Sequence, residues 1–287
     1  MTAARAAVPF PRSPSRKADP MFPTLAPPAG FDATPDGLMA FAHHLANSVR
    51  PLARRHFRTP LAVEAKADAS PVTEADRGIE ARLRAEIRQA YPGHGILGEE
   101  EGGDFAHDLT WVVDPIDGTQ SFITGMPLFG TLIALVRGGR PILGLIDMPA
   151  LAERWHGNGS SAWFGGKPIR TSRRALAEAR LFATSPDLFK GADAEAFAAL
   201  SAAVGLRRFG GDCYAYGLLA SGHCDLVVEA GLKVYDVMAL APVVEGAGGV
   251  MTDWAGRPLT PDFDGRVIAA ANPELHAAAL RQLTGFA

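Results

Sequence analysis

The chain has 287 residues, of which 47% are hydrophobic and 21% are charged, a composition typical of a globular protein with one large or two small domains. Its 28 Lys and Arg residues and 31 Asp and Glu residues give a net charge of −3, which argues against nucleic acid or an anionic membrane as a partner attracted by bulk charge. No apolar run approaches the roughly 18 residues that span a bilayer. The two cysteines, Cys213 and Cys224, match no zinc motif and are typical of a reducing compartment, so we expect a cytoplasmic protein.

Residues 1–30 differ in composition from the rest of the chain. They are rich in Pro, Ala and Arg, contain a single acid, Asp19, and lack a periodic apolar face, which predicts a disordered leader. Three interpretations of the leader stay open. It is a transit peptide, since such segments are rich in Arg and poor in acids, a flexible tail, or the result of a start codon placed too early, because Met21 could begin the protein.

The first half of the chain predicts helices packed on an antiparallel sheet. Thr34, followed by Pro and Asp, is a helix-start signal, and apolar residues at helical spacing continue from it to Leu52. A second helix is predicted to start at Thr73 and to end at Tyr91-Pro92-Gly93. Strands are predicted at 95–98, 110–113, 131–136 and 141–146, the last two joined by a hairpin at 137–140, with further strands around Trp155 and Trp163.

The second half alternates between strands and helices, which predicts a mixed or parallel sheet. Strands are predicted at 181–184, 225–229, 250–252 and 267–270, and helices at 194–204, 214–220, 237–245 and 273–283. We place the boundary between the halves at about 157 to 180, among Gly and polar residues. The predicted division is a leader at 1–30, an N-terminal α+β domain at 31–160 and a C-terminal α/β domain at 161–287.

The run Asp114-Pro115-Ile116-Asp117-Gly118-Thr119 is the most informative segment. An apolar strand leads directly into two carboxylates, which are costly to bury unless a cation binds there. Oxygen ligands without cysteine suit a hard cation such as Mg²⁺. Gly118 permits a close backbone approach, and a short helix predicted at 119–123 offers N-terminal N–H groups to an anion. The run therefore predicts a phosphate bridged to a metal, while an Asp-rich turn with a helix cap is the alternative that this segment alone leaves open.

Three other acidic segments support the first interpretation. Another apolar strand ends in Glu99 and Glu100. Asp76 lies three residues after Thr73, which predicts a capping box, and a cap is compatible with a catalytic role because it orients the acid. Asp236 precedes an apolar segment that predicts a helix, and a helix N-cap is its alternative role.

These residues resemble the inositol monophosphatase superfamily. The resemblance runs from about residue 35 to the C-terminus and rests on the order and spacing of four motifs: Gly98-Glu99-Glu100, Asp114-Pro115-Ile116-Asp117-Gly118-Thr119, Thr73-x-x-Asp76, and the Asp236 segment followed by Glu245-Gly246-Ala247-Gly248-Gly249. Residues 124–135, 210–217 and 228–236 are similar to the histidinol-phosphatase branch. Inositol-specific members usually have a Trp where this chain has Tyr235, and tend to have a small residue where it has Asp212.

The resemblance implies an α-β-α-β-α layered sandwich and a set of site residues. The implied ligands of two or three Mg²⁺ ions are Glu99, Asp114, Asp117, Asp236 and the backbone carbonyl of Ile116. Thr119 and Asp76, together with Glu99, are the implied catalytic residues, which orient and deprotonate the attacking water. Gly118 and Thr119 would donate backbone N–H groups to the phosphate. Attack would be direct and in line, without a covalent phosphoenzyme.

Substrate choice is expected to come from Asp212 and Glu229, which resemble the superfamily's specificity positions. Two carboxylates suit the ammonium and imidazole groups of histidinol phosphate, although a helix N-cap is the alternative role of Asp212. We therefore expect a Mg²⁺-dependent histidinol-phosphatase of histidine biosynthesis. The alternatives are an inositol-1-monophosphatase or 3′-phosphonucleotide phosphatase of the same family, and a regulatory binding protein, which would not need so many carboxylates. The resemblance also implies a homodimer, with no nucleic acid or membrane partner.

Overall fold

The computed structural model of this protein describes residues 32–60, 63–65 and 71–284, so the predicted leader lies outside the described residues. The helices of the described ranges are α1 Pro35–His56, α2 Glu74–Ala90, α3 Thr119–Ile123, α4 Ala192–Ala203, α5 Asp212–Ala220, α6 Val234–Val237, α7 Leu240–Gly246 and α8 Pro273–Thr284. The strands are β1 Val63–Ala65, β2 Pro71–Thr73, β3 Gly95–Gly98, β4 Leu109–Asp117, β5 Gly130–Arg137, β6 Arg140–Met148, β7 Glu153–Gly157, β8 Ala162–Phe164, β9 Lys167–Pro168, β10 Arg180–Ala183, β11 Leu206–Phe209, β12 Leu226–Glu229, β13 Val250–Thr252 and β14 Val267–Ala270. None of these helices has the length and apolar character that a bilayer span requires.

Two main sheets organise the chain. Strands β3 to β9 form a seven-stranded sheet in sequence order, and the other main sheet has the order β11-β10-β12-β14-β13. The seven-stranded sheet is antiparallel except for the pair β3 and β4, which is parallel. The five-stranded sheet is mixed, as predicted, because β10 is parallel to both of its neighbours and β14 is antiparallel to both of its own. Strands β1 and β2 form a separate, two-stranded antiparallel sheet.

Side chains along a strand of either main sheet point alternately into two hydrophobic cores, one on each face of the sheet. Trp111 and Val113 on β4 are buried in a cluster formed with α1 and α2, whereas Val112 is buried in a cluster formed with α5 and α7. On β12, Val227 lies in the cluster of α5 and α7, and Val228 lies in a cluster formed with α4 and α8. Since neighbouring residues of a strand point to opposite faces, both sheets are covered on both sides. The layers are α1 and α2, the large sheet, α5 and α7, the small sheet, and α4 and α8, which confirms the expected sandwich.

The structure corrects some predicted elements. The segment 237–245, predicted as one helix, belongs to two short helices, α6 and α7. Pro242 explains the break, because a proline inside a continuous helix removes an N–H and clashes with the carbonyl group four residues earlier, whereas the first turn of α7 tolerates it. The predicted antiparallel sheet of the first half has one exception, because β3 pairs with β4 in the parallel direction.

The sequence patterns do not predict β1, β2, β9 or β11. All four residues of β11 are exposed at the edge of the smaller sheet, and two of them are arginines, so no apolar alternation marks this strand. The large sheet ends at Pro168 and the small sheet begins at Arg180. The division into two domains at residue 160 stays a prediction.

α7 packs against the large sheet at two glycines on neighbouring strands. Gly144 on β6 pairs with Gly157 on β7. A Cβ on Gly144 would lie 2.0 Å from the carbonyl oxygen of Ala239, and one on Gly157 would lie 2.4 Å from that of Pro242. Because both obstacles are backbone atoms, this close approach requires glycine at both positions. The contact seats the segment that carries Asp236 against the sheet that carries the other acids.

We expect Gly144→Ala to lower the free energy of unfolding by about 1–3 kcal/mol, since its methyl group would overlap backbone that moves only if α7 moves. Gly78→Ala is the control, because Gly78 is exposed in α2 and a Cβ there meets no atom within 4 Å. That variant should raise the free energy of unfolding by roughly 0.5–1 kcal/mol. Urea denaturation measures both changes, and a Gly144→Ala protein as stable as the parent would contradict the packing argument.

Candidate active site

A β-bulge brings two acids of β4 to one place. Asp114 lies opposite Leu132 of β5 and Asp117 lies opposite Gly130, so three steps along β4 match two along β5. In a regular strand, residues three apart would point to opposite faces, and the extra residue of a bulge removes this difference. Pro115 fits there because it has no N–H to donate to the ladder, and its carbonyl oxygen accepts a hydrogen bond from the Thr131 hydroxyl at 2.9 Å.

Asp236 comes to the same place from the second half of the chain. It is the third residue of α6, and its Oδ2 accepts a hydrogen bond from the backbone N–H of Lys233 at 2.6 Å. The N-cap position belongs to Lys233, so the alternative role of Asp236 as an N-cap is wrong. One carboxylate oxygen from each of Asp114, Asp117 and Asp236 lies within 4.8 Å of the others.

Burial and mutual repulsion favour the protonated forms of these three acids. Burial raises the pKa of Asp114 and of Asp236 well above the usual range, and neighbouring carboxylates add to the effect. Burial, followed by the charge of Asp212, raises the pKa of Asp117 to about 7, even though the backbone N–H of Cys213 donates to its Oδ2 at 2.7 Å. A bound cation would favour the ionised forms, and a donor set made only of oxygen suits Mg²⁺. These residues therefore fit the ion that the resemblance implies.

Two further predicted ligands border this group. Glu99 follows β3 and is not among the three acids grouped within 4.8 Å in the described chain, but its charge and its hydrogen bond with Asp114 both contribute to the raised pKa of Asp114. Ile116 lies in the bulge, where its N–H donates to Asp114 Oδ1 at 3.0 Å. Its carbonyl oxygen accepts a hydrogen bond from the Thr119 hydroxyl at 3.1 Å.

Asp76 forms the predicted capping box and keeps one oxygen available. Its Oδ2 accepts hydrogen bonds from the backbone N–H and the hydroxyl of Thr73, at 2.8 and 2.6 Å. Its Oδ1 is buried and has no hydrogen-bond partner. Burial raises the pKa of Asp76, and the charge of Glu99 adds to this effect. A buried carboxylate oxygen without a partner is costly, and a water or a ligand would satisfy it.

Gly118 and Asp212 lie close together, each at the start of a helix. Gly118 is the N-cap of α3 with φ +80°, and a Cβ there would lie 3.1 Å from Asp212 Oδ2. Asp212 is the first residue of α5, after the N-cap Gly211, and has φ +43°. Its Oδ2 accepts a hydrogen bond from the Ser121 hydroxyl at 2.8 Å. The N-cap alternative for Asp212 is therefore wrong, and its carboxylate reaches across to α3, beside the predicted metal ligands.

Glu229 ends β12 with one oxygen satisfied and one not. Its Oε1 accepts hydrogen bonds from the backbone N–H and the hydroxyl of Thr184, at 2.8 and 2.9 Å. Its Oε2 has no partner, and the residue is 1% exposed. Burial raises the pKa of Glu229 to about 8, with smaller contributions from the charges of Asp212 and Asp117. Both residues that the sequence assigns to the substrate thus lie close enough to interact with Asp117.

Tyr216 lies beside these acids and is not singled out by the sequence pattern. It is buried and its hydroxyl has no hydrogen-bond partner. Burial raises its pKa, and the charges of the nearby Glu229, Asp117 and Asp236 raise it further. Its spacing of four residues from Asp212 on α5 is the signal that could have found it, because such residues share a helix face.

Comparisons with known proteins agree with this geometry. A model of the inositol monophosphatase family matches residues 35–285. The chain is 45% identical over 264 residues to the chloroplastic bifunctional phosphatase IMPL2 of Arabidopsis thaliana. The aligned region covers 88% of this chain and 76% of that protein. It is 38% identical over 241 residues to a histidinol-phosphatase of Chlorobaculum parvum, with coverage of 82% and 92%. An inositol monophosphatase structure from Zymomonas mobilis has a TM-score of 0.80 and 48% identity, over 86% of this chain and 98% of that chain.

Glu229 should make the metal-free protein less stable as the pH rises. Below about pH 4.5 the acid is protonated in both folded and unfolded chains. Between about pH 4.5 and 8 the unfolded chain ionises while the folded chain keeps its proton, so folding becomes less favourable by up to roughly 1.4 kcal/mol per pH unit. Glu229→Gln, a neutral isostere, removes this effect. The free energy of unfolding of the variant relative to the parent, measured in chelator from pH 5 to 8, should therefore increase with pH.

The exposed Glu274 of α8 provides the control for that series, because Glu274→Gln should change the free energy of unfolding little at any pH in this range. A constant difference between Glu229→Gln and the parent from pH 5 to 8 would contradict the raised pKa of Glu229.

Asp114→Asn should stabilise the metal-free protein and remove its response to Mg²⁺. The amide keeps an oxygen that accepts from the Ile116 N–H but lacks the charge that the neighbouring acids repel. In the parent, Mg²⁺ at about 100 times its Kd should raise the free energy of unfolding by about 2.7 kcal/mol, and in the variant this gain should be absent. Thermal unfolding with and without Mg²⁺ measures both effects. An equal gain in both proteins would contradict the assignment of Asp114 as a ligand.

Proposed function

We propose a specific reaction for this chain, which belongs to the inositol monophosphatase family: the hydrolysis of histidinol phosphate to histidinol and phosphate in histidine biosynthesis. The phosphatase class and the general dependence on Mg²⁺ are those of the family. One observation carries the choice of substrate. Two acids that are not among the proposed metal ligands, Asp212 and Glu229, lie beside the acidic cluster, and Glu229 has a buried oxygen without a partner.

The proposed Mg²⁺ ligands are the carboxylates of Glu99, Asp114, Asp117 and Asp236 and the backbone carbonyl of Ile116. Bound Mg²⁺ would supply positive charge that stabilises the entering and leaving oxygens and lowers the pKa of water. The clustering of three of these carboxylates supports the assignment. Two or three ions remain the expected number.

The chain's own groups would position the attacking water and the phosphate. Asp76 is the proposed base, because its Oδ1 is buried, unpartnered and held in place by the capping box. The Thr119 hydroxyl, beside the Ile116 carbonyl, would help to orient the water. Gly118 and Thr119 would donate backbone N–H groups to the phosphate, and the positive φ of Gly118 allows that backbone approach. Attack in line with the leaving oxygen then needs no covalent intermediate.

A cationic leaving group would account for Asp212 and Glu229, the two acids of the site that are not proposed metal ligands. Burial keeps Glu229 protonated near neutral pH in the absence of a cation, since its pKa is raised to about 8. A neighbouring ammonium or imidazolium group would favour the ionised form and form charge-assisted hydrogen bonds with it. A neutral polyol such as inositol offers no such compensation. The unpartnered hydroxyl of Tyr216 could donate to the same group of acids.

Inositol monophosphate is the second candidate substrate, because a structure at 48% identity is of an inositol monophosphatase and IMPL2 is named bifunctional. A 3′-phosphonucleotide is a third candidate. Phosphate release from histidinol phosphate, inositol 1-phosphate, a 3′-phosphonucleotide and fructose 1,6-bisphosphate, compared by kcat/KM, distinguishes these activities. The proposal requires histidinol phosphate to give the highest value, and absence of activity on all four would favour a binding protein.

Two further parts of the proposal concern assembly and location. We propose a homodimer and a cytoplasmic location, which rest on the resemblance and on the two unpaired cysteines. IMPL2 is named chloroplastic, so the transit-peptide interpretation of the leader stays open.

Asp212→Asn should raise KM for histidinol phosphate about tenfold or more. A charge-assisted contact contributes roughly 1.5–3 kcal/mol, and 1.4 kcal/mol is a factor of ten. Hydrolysis of p-nitrophenyl phosphate should change little, because the amide can still accept from Ser121 and the other site residues are untouched. Steady-state kinetics with both substrates measures the contrast.

Asp36→Asn is the control, since it also removes an acid from the first turn of a helix, at an exposed position of α1. It should leave both KM values unchanged. An equal loss on both substrates in Asp212→Asn would contradict a role for Asp212 in recognising the leaving group.

A further inference from the structure

Glu80 is a fully buried acid of α2 whose carboxylate accepts hydrogen bonds from the turn that follows β3. Its side chain has 0% exposure. Oε2 accepts a hydrogen bond from the backbone N–H of Glu100 at 2.7 Å, and Oε1 accepts one from that of Glu101 at 2.9 Å. Oε1 also accepts from Arg84 Nε at 2.8 Å, one turn along the helix. The carboxylate therefore binds the two residues that follow Glu99.

A second residue of α2, Arg84, binds the last residue of the same turn. The backbone N–H of Gly98 donates to the Gly102 carbonyl oxygen at 3.0 Å, and Arg84 Nη2 donates to the same oxygen. Arg84 thus joins the carboxylate of Glu80 to the end of the turn. Charge-assisted hydrogen bonds from buried groups are among the stronger ones in proteins, so this helix holds the turn at Glu100, Glu101 and Gly102.

Gly98 shows how closely the two parts fit. A Cβ on Gly98 would lie 2.2 Å from Glu80 Oε1, so the carboxylate occupies the space that any other residue would need. β3 ends at Gly98, and the strand ladder no longer supports the backbone from Glu99 onward. Glu80 takes over that support at the two residues that follow the predicted metal ligand.

We propose that Glu80 is a positioning residue that fixes Glu99 at the metal site. The proposal rests on the proposed function, because it takes Glu99 as a Mg²⁺ ligand. Outer groups that orient a ligand commonly change metal affinity 10- to 100-fold when they are removed. Asp76 lies four residues before Glu80 on the same face of α2. One rigid helix thereby sets the separation between the proposed base and the turn that carries the ligand.

Glu80→Gln tests the proposal, because the amide offers one acceptor oxygen where two backbone N–H groups need one each. Mg²⁺ affinity, measured by calorimetry without substrate, should fall tenfold or more. Hydrogen exchange of the Glu100 and Glu101 amides should become faster in the metal-free protein. At saturating Mg²⁺, kcat should fall less than the Mg²⁺ affinity.

Glu86→Gln is the matched control. Glu86 is another buried acid of α2, paired with Arg82 four residues earlier and with His44 of α1. It should destabilise the fold without changing Mg²⁺ affinity or the exchange of the turn amides. If Glu80→Gln does not fold, Glu80→Asp replaces it, because the shorter side chain keeps the charge but withdraws it from the turn.

Wild-type Mg²⁺ affinity in the Glu80 variant, or an equal loss in Glu86→Gln, would overturn the positioning role while leaving the proposed function intact. A parent protein that binds no Mg²⁺ and hydrolyses none of the phosphate esters would overturn both. Faster turn exchange together with weaker Mg²⁺ binding in the Glu80 variant alone is the result that supports the proposal.

Discussion

Three carboxylates, one buried and two half-buried, lie closer together than their charges favour, and much of the surrounding structure serves to hold them there. Asp114 and Asp117 come from one strand of the large sheet, and Asp236 comes from a helix in the second half of the chain, yet their oxygens lie within 4.8 Å. Such a group is costly to bury without a cation. Three features of the fold hold these acids in place. They are the bulge in β4, the capping contact of Asp236 and the close packing of α7 on Gly144 and Gly157.

Helix α2 shows how one element can serve stability and chemistry together. Asp76 caps the helix through Thr73 and still presents a free oxygen. One turn later, Glu80 anchors the turn after β3. Both acids face away from solvent, where hydrogen bonds to backbone N–H groups are least weakened by water. A rigid helix packed on α1 and on the large sheet is thus a fixed reference for groups that must keep their separation.

The two acids that we propose face the substrate, Asp212 and Glu229, have a different character. Asp212 has a left-handed backbone conformation, with φ +43°, that non-glycine residues seldom adopt. Glu229 is buried with one unsatisfied oxygen, and burial raises its pKa to about 8. Neither feature stabilises the isolated fold. Strain and unpaired polar groups of this kind concentrate at functional sites, which is why these two positions support a choice of substrate.

Local sequence patterns determined the helices with clear caps, the apolar strands and the acidic segments of the site, because capping and side-chain periodicity act over a few residues. They did not determine the exposed edge strand β11, the break at Pro242, or the roles of Tyr216 and Glu80. A motif resemblance was needed to join acids that lie far apart in the chain. Only the tertiary structure decided that Asp212 reaches across to Ser121 instead of capping its helix, and that Glu80 holds the turn after Glu99. These contacts join residues distant in sequence, and burial and hydrogen bonding between such residues exist only once the layers have packed.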